Sequence, residues 1–212
     1  EKAEEMMWDM GFDHVEITQY PDDPDQLNIV GYNWGRVNPD EYIVIGGHFD
    51  IAYMFTPPGG GTNEGANDDT SGSTVSLEVG QALAQMEFDH TVVAALWACE
   101  EEGLLGSLAY VANLPENVSV RTYMNFDMVS LNYPITPLTE PLIDPLTGDI
   151  FEPTKYDWSI SIAGASDENM DRMYDWVTET IDENLAYQPT EGNPIMWQKA
   201  ESCSSDHCSF FS

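Results

Sequence analysis

TVVAALWACEE, residues 91–101, is the stretch of sequence that decides the fold. Apart from its first threonine, the run TVVAALWA is continuously apolar, a pattern typical of a strand that is covered on both faces. Two carboxylates, Glu100 and Glu101, follow where this strand must end. The stretch therefore predicts a buried strand of a parallel sheet that delivers two acids to the carboxyl edge.

Two other segments repeat this arrangement. EYIVIGGHFD ends on His48 and Asp50, and VRTYMNFD ends on Asp127. Between the first of these and the strand of residues 91–98, apolar residues recur at helical spacing from Thr70 onward, so a helix leads away from Asp68 and Asp69. Alternating strands and helices, with acids at successive strand ends, predict an α/β fold whose site lies along the carboxyl edge of the sheet.

The remaining segments are assigned by hydrophobic period and by turn residues. We predict a helix over 3–10, strands over 14–20 and 27–35 with the turn PDDPDQ between them, and a helix over 105–114. A strand over 157–163 is predicted to resume the sheet, and a long helix over 170–185 follows it. Residues 131–156 are rich in proline and threonine and are predicted as a long excursion beside the site. We expect one catalytic domain over 1–212, with its final strand and helix outside the chain.

The charge balance limits the partners. The 212 residues include 38 acidic and 6 basic ones, a formal net charge of −32 at pH 7, which makes nucleic acids and anionic membranes poor partners. A hydrophobic fraction of 42% still supports one buried core, and no apolar run predicts a membrane span. The acidic surface is either a solubilising one or an adaptation to high salt, which would screen its self-repulsion.

Three cysteines are too few for a structural zinc site of four thiolates. Cys99 lies in the apolar run and is most simply a small buried residue. Cys203 and Cys208 flank His207, so a disulfide across this loop is one alternative. Such a bond would indicate an oxidising compartment.

The residue types favour metal chemistry. His48 and Asp50 are two residues apart and share a face of extended backbone, so Asp50 can accept the second ring N–H of His48. Glu100 and Glu101 are neighbours that must point in different directions, which suits one ligand and one free base. Taken alone, the motif of His48 is explained by a buried core histidine, and the motif of Glu100 and Glu101 by a solvated turn. Together the motifs bring several carboxylates to one edge of the sheet, and burying them there is costly unless cations compensate their charge. A ligand set of histidine and carboxylates favours two zinc ions, with manganese or cobalt as substitutes.

The motifs VIGGHFD, GANDDTSG, WACEEEG, MNFDM and SSDHCSF, in this order, resemble the zinc aminopeptidases of the secreted bacterial leucyl aminopeptidase type. That family also includes glutamate carboxypeptidase and the glutaminyl cyclases. The resemblance covers most of the chain and implies a mixed, mainly parallel sheet sandwiched between helices. It implies that His48 and Asp127 hold one zinc, that Glu101 and His207 hold the other, and that Asp68 bridges both.

The same resemblance implies the mechanism. Glu100 would be the general base and acid, Asp50 would orient His48, and the peptide after Asp68 would be cis. The implied substrates are peptides with a free N-terminus, and the implied location is outside the cell, with the cytoplasm of a salt-adapted organism as the alternative. A third glutamate at position 102 and the spacing of the cysteines depart from the family pattern, which leaves the side-chain preference open.

Three alternative functions stay open. A carboxypeptidase needs basic residues for the substrate's C-terminal carboxylate, but Arg36, Arg121 and Arg172 adjoin none of the motifs. A glutaminyl cyclase of this family uses a single zinc, whereas this chain keeps the complete ligand set. A binding module without catalysis would be expected to lose ligands, and here none is missing.

Overall fold

The protein was analysed as a computed structural model. It describes residues 2–20, 23–52, 64–129, 142–143, 150–151, 158–164, 171–172, 174–176, 179, 195–201 and 205–210. The chain divides into two compact units, residues 1–130 with 204–212 and residues 131–203. Within the described segments, no helix combines the length and the apolar character that a membrane span requires. The prediction of one catalytic domain with its final strand and helix outside the chain stays a prediction.

The first unit alternates helices and strands as predicted. Its described elements are, in chain order, α1 (Lys2–Met10), β1 (His14–Tyr20), β2 (Asp23–Asn33), β3 (Asn38–His48), α2 (Thr70–Ala84), β4 (His90–Trp97), α3 (Leu105–Ala112), β5 (Ser119–Asn125) and a 3₁₀ helix (Asp206–Phe210). The strand β2 begins inside the segment predicted as a turn. Pairing with β1, which extends to Tyr20 opposite Asp23, keeps the backbone extended there.

The five strands of this unit form one sheet in the order β1-β2-β4-β3-β5. β3 runs parallel to both β4 and β5, whereas β2 is antiparallel to β1 and to β4. His48 pairs with Trp97, and Gly46 pairs with Asn125. The three parallel strands therefore end side by side, and the predicted mixed α/β sheet is confirmed.

Each face of this sheet carries its own core. α1 and α2 cover one face, where Met7, Phe12 and Leu96 are buried. α3 and the 3₁₀ helix cover the other face, around Trp97 and Tyr110. All residues of β4 after its first are buried, which confirms a strand covered on both faces.

The second unit contains two strand pairs among its described residues. β6 (Leu142–Ile143) and β7 (Ile150–Phe151) pair antiparallel, and β8 (Trp158–Gly164) and β9 (Ile195–Glu201) pair parallel. The strand predicted over 157–163 is β8, but its described partner is β9 and not the central sheet. Most of the excursion over 131–156 and of the helix predicted over 170–185 lies outside the described residues, although residues 171–172 and 174–176 are helical.

Candidate metal centre

His48 occupies the centre of the carboxyl edge, at the last position of β3. Its side chain is 1% exposed, and its Nε2 lies 3.2 Å from Oδ1 of Asp68. The same nitrogen lies 3.9 Å from Oε2 of Glu100 and 3.9 Å from Oδ1 of Asp127. Three carboxylates from three different segments therefore converge on one buried imidazole.

These carboxylates dominate the electrostatics of His48. Burial alone would lower its pKa, but the contact with Asp50 and the charges of Glu100 and Asp127 raise the pKa to about 10. Among the described residues named in these contacts, the imidazole is the one group that can carry positive charge, and the others are acids. The site therefore has more negative than positive charge to place in a buried volume, which is costly without further cations.

Asp50 lies on the other side of the ring. Its Oδ1 is 3.4 Å from Nδ1 of His48, an ion-pair distance, but Nδ1 has no hydrogen-bond partner among the described residues, so the orienting hydrogen bond stays a prediction. The two carboxylate oxygens also accept the backbone N–H groups of Glu100, at 3.0 Å, and Glu101, at 3.1 Å. Burial would raise the pKa of Asp50, but His48 and these two N–H groups lower it. Asp50 therefore clamps the turn that carries both glutamates, a role that the sequence did not reveal.

The turn after β4 separates the two glutamates. Cys99, which precedes them, has a φ of 56°, a left-handed conformation that is uncommon for residues other than glycine. The Glu100 side chain is only 10% exposed, whereas Glu101 is exposed. Burial, with smaller contributions from the neighbouring carboxylates of Asp206 and Asp127, raises the pKa of Glu100 to about 8 against the lowering effect of His48. This difference in burial fits one glutamate acting as a base and the other as a ligand.

Asp68 and Asp69 lead into α2, and the peptide between them is cis, as the resemblance implied. Asp69 is the N-cap of α2, and its Oδ1 accepts the N–H groups of Gly72 and Met128, each at 3.0 Å. It thereby ties the helix to the loop that carries Asp127. Burial raises the pKa of Asp69 to about 7. The sequence placed Asp69 at the start of this helix but gave it no role, although an aspartate directly before a helix is a known N-cap signal.

The N-terminal turn of α2 packs directly on the strand ends. A Cβ atom on Gly72 would clash with the carbonyl oxygen of Phe126, so only glycine permits this approach. The hydroxyl of Ser73 donates to the carbonyl oxygen of His48 at 2.5 Å. These contacts hold the ends of β3 and β5 against the start of the helix.

In the described part of the chain, two groups of side chains bring potential ligand atoms within 4.8 Å of one another. One group is His48, Asp68 and Asp127, and the other is His48, Glu100 and Glu101. The carboxylate oxygen Oδ1 of Asp127 is buried and has no hydrogen-bond partner in the described part of the chain. A buried acceptor without a donor, beside histidine and carboxylate ligands, fits a divalent cation such as zinc.

His207, the remaining predicted ligand, lies in the 3₁₀ helix and belongs to neither of these groups. Its helix is anchored through its neighbours. Asp206 is fully buried and accepts the hydroxyl of Ser107 at 2.5 Å, and Ser205 accepts from the side-chain amide of Asn125 at 2.7 Å. Burial raises the pKa of Asp206 to about 7. The role of His207 as a ligand stays a prediction, and the buried Asp206 beside it was not foreseen.

The cysteines behave in two ways. Cys99 is a free, buried thiol, as expected. Cys208 is disulfide-bonded, which agrees with a bond across the loop of His207. Its expected partner, Cys203, lies outside the described residues.

An α/β sheet with histidine and carboxylate ligands gathered at its carboxyl edge defines a chain of the metal-dependent hydrolase class. The comparison with known families is more specific. The sequence profile of peptidase family M28 matches residues 28–211, so this chain belongs to that family. The resemblance seen in the motifs is thereby confirmed.

Individual relatives agree with the family. The chain is 38% identical over 96 residues to an aminopeptidase of Pseudomonas aeruginosa, a match that covers 44% of this chain and 16% of that protein. A zinc aminopeptidase from Bacillus subtilis is 25% identical with a TM-score of 0.53, covering 87% of this chain and 37% of that one. A glutaminyl cyclase from Bacteroides thetaiotaomicron shares the fold, with a TM-score of 0.65 at 15% identity, over 99% of this chain and 70% of that one.

Proposed function

We propose that this chain is a zinc metallo-aminopeptidase that uses two zinc ions and Glu100 to hydrolyse N-terminal residues from peptides. One observation carries the proposal: Nε2 of the buried His48 lies 3.2 to 3.9 Å from carboxylate oxygens of Asp68, Glu100 and Asp127. The membership in peptidase family M28 and the relatives described as aminopeptidases support it. The chain spans less than half the length of those aminopeptidases, so the activity of the whole protein is part of the proposal.

The ligand assignment follows the family resemblance, and the group of His48, Asp68 and Asp127 supports its first zinc site. His48 and Asp127 would hold one zinc, Glu101 and His207 the other, and Asp68 both. When bound, zinc supplies Lewis-acid chemistry that polarises a carbonyl group and lowers the pKa of water. The exposed carboxylate of Glu101 lies at the open side of the site, where the free α-amino group of a substrate can approach.

Glu100 is the proposed general base. Its nearly buried carboxylate takes a proton from the attacking water and then gives it to the leaving nitrogen of the peptide bond. Burial raises the pKa of Glu100 to about 8, close to neutral pH, where a group can both accept and return a proton. Asp50 assists as a positioning residue, because it holds the backbone N–H of Glu100 at 3.0 Å and faces Nδ1 of His48.

The test compares two glutamates of one turn. Glu100→Gln should lower kcat on leucine p-nitroanilide by about 10²–10⁴-fold, the usual contribution of a general base, while zinc stays bound. Glu102→Gln is the matched control, because Glu102 is exposed and belongs to neither ligand group. It should leave kcat close to that of the wild type. Metal content is measured on each variant, and a chelator should abolish the activity of the wild type.

Other outcomes separate the alternatives. Normal turnover by Glu100→Gln would refute the assignment of the base. Cleavage of N-acetylated peptides with free C-termini would instead favour a carboxypeptidase, and ring closure of N-terminal glutamine a glutaminyl cyclase, whose fold this chain shares. A chain that binds zinc and turns over none of these substrates would be a binding module.

We also propose an extracellular location for this chain. The disulfide-bonded state of Cys208 supports it, because such bonds persist in oxidising compartments. The cytoplasm of a salt-adapted organism is the alternative. Thiol labelling of denatured protein, freshly isolated from its native source, should modify Cys99 alone; labelling of Cys208 as well would contradict the proposal.

A further inference from the structure

A second cavity, of about 510 Å³, lies away from the metal centre, on the sheet face that α3 covers. It opens between the C-terminal half of α3 and the strands β1 and β2. Its lining includes His14, Glu16, Thr18, Tyr32 and Trp34, and none of the proposed metal ligands. The cavity is therefore a separate site with its own chemistry, and we call it the β1–α3 cleft.

Aromatic rings form one wall of the β1–α3 cleft. Trp34 stacks on Tyr32 with ring centroids 5.0 Å apart and on His14 with centroids 6.3 Å apart. Tyr42 meets Tyr32 edge to face at 6.0 Å. Trp34 is 43% exposed, so part of this wall stays accessible to a ligand. The faces of such rings bind apolar stems and attract cations.

The charge of the cleft is negative. Oε1 of Glu16 accepts the hydroxyl of Tyr32 at 2.6 Å, and the second carboxylate oxygen has no hydrogen bond among the described residues. None of the described residues that line the cleft is a lysine or an arginine. The C-terminal end of α3 also faces it through Ala109 and Asn113, and the negative end of a helix dipole favours cations.

A buried hydroxyl adds a hydrogen-bonding position. Oγ1 of Thr18 is buried and has no partner among the described residues, and Thr18 is one of the residues that line the cleft. Buried polar atoms without partners are uncommon and call for an explanation such as a bound molecule. Thr18 and Glu16 are two residues apart on β1, so both side chains project from the same face of the strand.

We propose that the β1–α3 cleft binds an organic cation, a guanidinium or ammonium group on a short apolar stem. Glu16 pairs with the charge, Oγ1 of Thr18 accepts an N–H of the same group, and Trp34 with Tyr32 covers the stem. The ligand is either a free small molecule or a basic side chain of a peptide. This site does not rest on the proposed peptidase activity, because it shares no residue with the metal centre.

The test measures binding to the zinc-loaded protein, in which the acidic metal centre is neutralised. Butylguanidinium is titrated by calorimetry and by tryptophan fluorescence in about 0.15 M salt, which screens weak surface attraction. We expect saturable binding of butylguanidinium and none of the uncharged isostere butylurea over the same concentrations. Glu16→Gln should weaken binding on the order of tenfold or more, the loss expected for one charge-assisted hydrogen bond.

Matched variants keep the test decisive. Glu78→Gln alters an exposed glutamate of α2, on the opposite face of the sheet, and should leave the affinity unchanged. Trp34→Ala changes a half-exposed residue and should weaken binding and remove the fluorescence response even if Glu16→Gln fails to fold. An N-acetylated peptide with an internal arginine distinguishes the sources: tighter binding than butylguanidinium assigns the site to basic side chains, and weaker binding assigns it to free small cations.

Three results would overturn the proposal. Equal binding of butylurea would show that charge is not recognised. An unchanged affinity in both Glu16→Gln and Trp34→Ala would place any binding elsewhere. Binding that falls equally in Glu78→Gln would be general attraction to an acidic surface. Because each readout is an affinity, failure of the peptidase proposal would leave these results interpretable.

Discussion

Removal of the metal should reverse the pH dependence of this protein's stability. Burial raises the pKa of Glu100 to about 8 and those of Asp69 and Asp206 to about 7 in the folded protein without metal. In the unfolded chain such carboxyls ionise near pH 4. Between these values the folded state holds protons that the unfolded state has lost, so the free energy of unfolding must fall as the pH rises.

The size of this effect follows from the number of groups. Each carboxyl that is neutral when folded and ionised when unfolded lowers the free energy of unfolding by about 1.4 kcal/mol per pH unit. These three groups alone contribute up to about 4 kcal/mol per pH unit between about pH 5 and pH 7. Even a quarter of this contribution moves the Tm of a chain of this size by roughly 2–4 °C per pH unit. Bound zinc requires ionised ligands, so the zinc-loaded protein should instead gain stability as the pH rises.

The measurement is thermal unfolding by circular dichroism between about pH 5 and pH 7, with chelator or with zinc, in about 0.5 M salt to screen general surface repulsion. Asp206→Asn should reduce the slope of the metal-free protein by about a third, because it removes one of the three groups. Glu78→Gln, an exposed residue, should not change it. A flat or rising Tm in chelator, or the same slope with and without zinc, would refute the reasoning.

Two further predictions concern the scaffold of the metal centre. Asp50→Asn leaves one of the N–H groups of Glu100 and Glu101 without an acceptor. It should lower the free energy of unfolding, measured by urea denaturation, by about 1.5–3 kcal/mol, and it should also lower the affinity for zinc. An unchanged urea denaturation curve would contradict the proposed contact between Asp50 and the turn. Gly72→Ala places a methyl group against the carbonyl oxygen of Phe126. It should lower the free energy of unfolding, measured by urea denaturation, by about 1–3 kcal/mol. A denaturation midpoint equal to that of the wild type would show that the helix can shift at no cost.

The local signals predicted most of the first unit. Continuous apolar runs predicted β3 and β4, and the helical period from Thr70 predicted α2. This works because the order of apolar and polar residues in a segment reflects which of its faces are buried. Strand ends bearing His48 and Asp127 could then be expected at one edge. The second unit was harder, since β9 carries no clear period and the partner of β8 depends on pairing between distant segments.

The sequence by itself determined which chemical groups stand at the strand ends and that they belong with a divalent metal. Only the tertiary structure decided how closely they approach, with Nε2 of His48 at 3.2 Å from Asp68. It also decided that Asp50 accepts the backbone N–H of Glu100, that Asp206 is buried, and that the β1–α3 cleft is present. The physical reason is that periodicity records whether a residue is covered, whereas distances and partners arise from contacts between segments far apart in the chain.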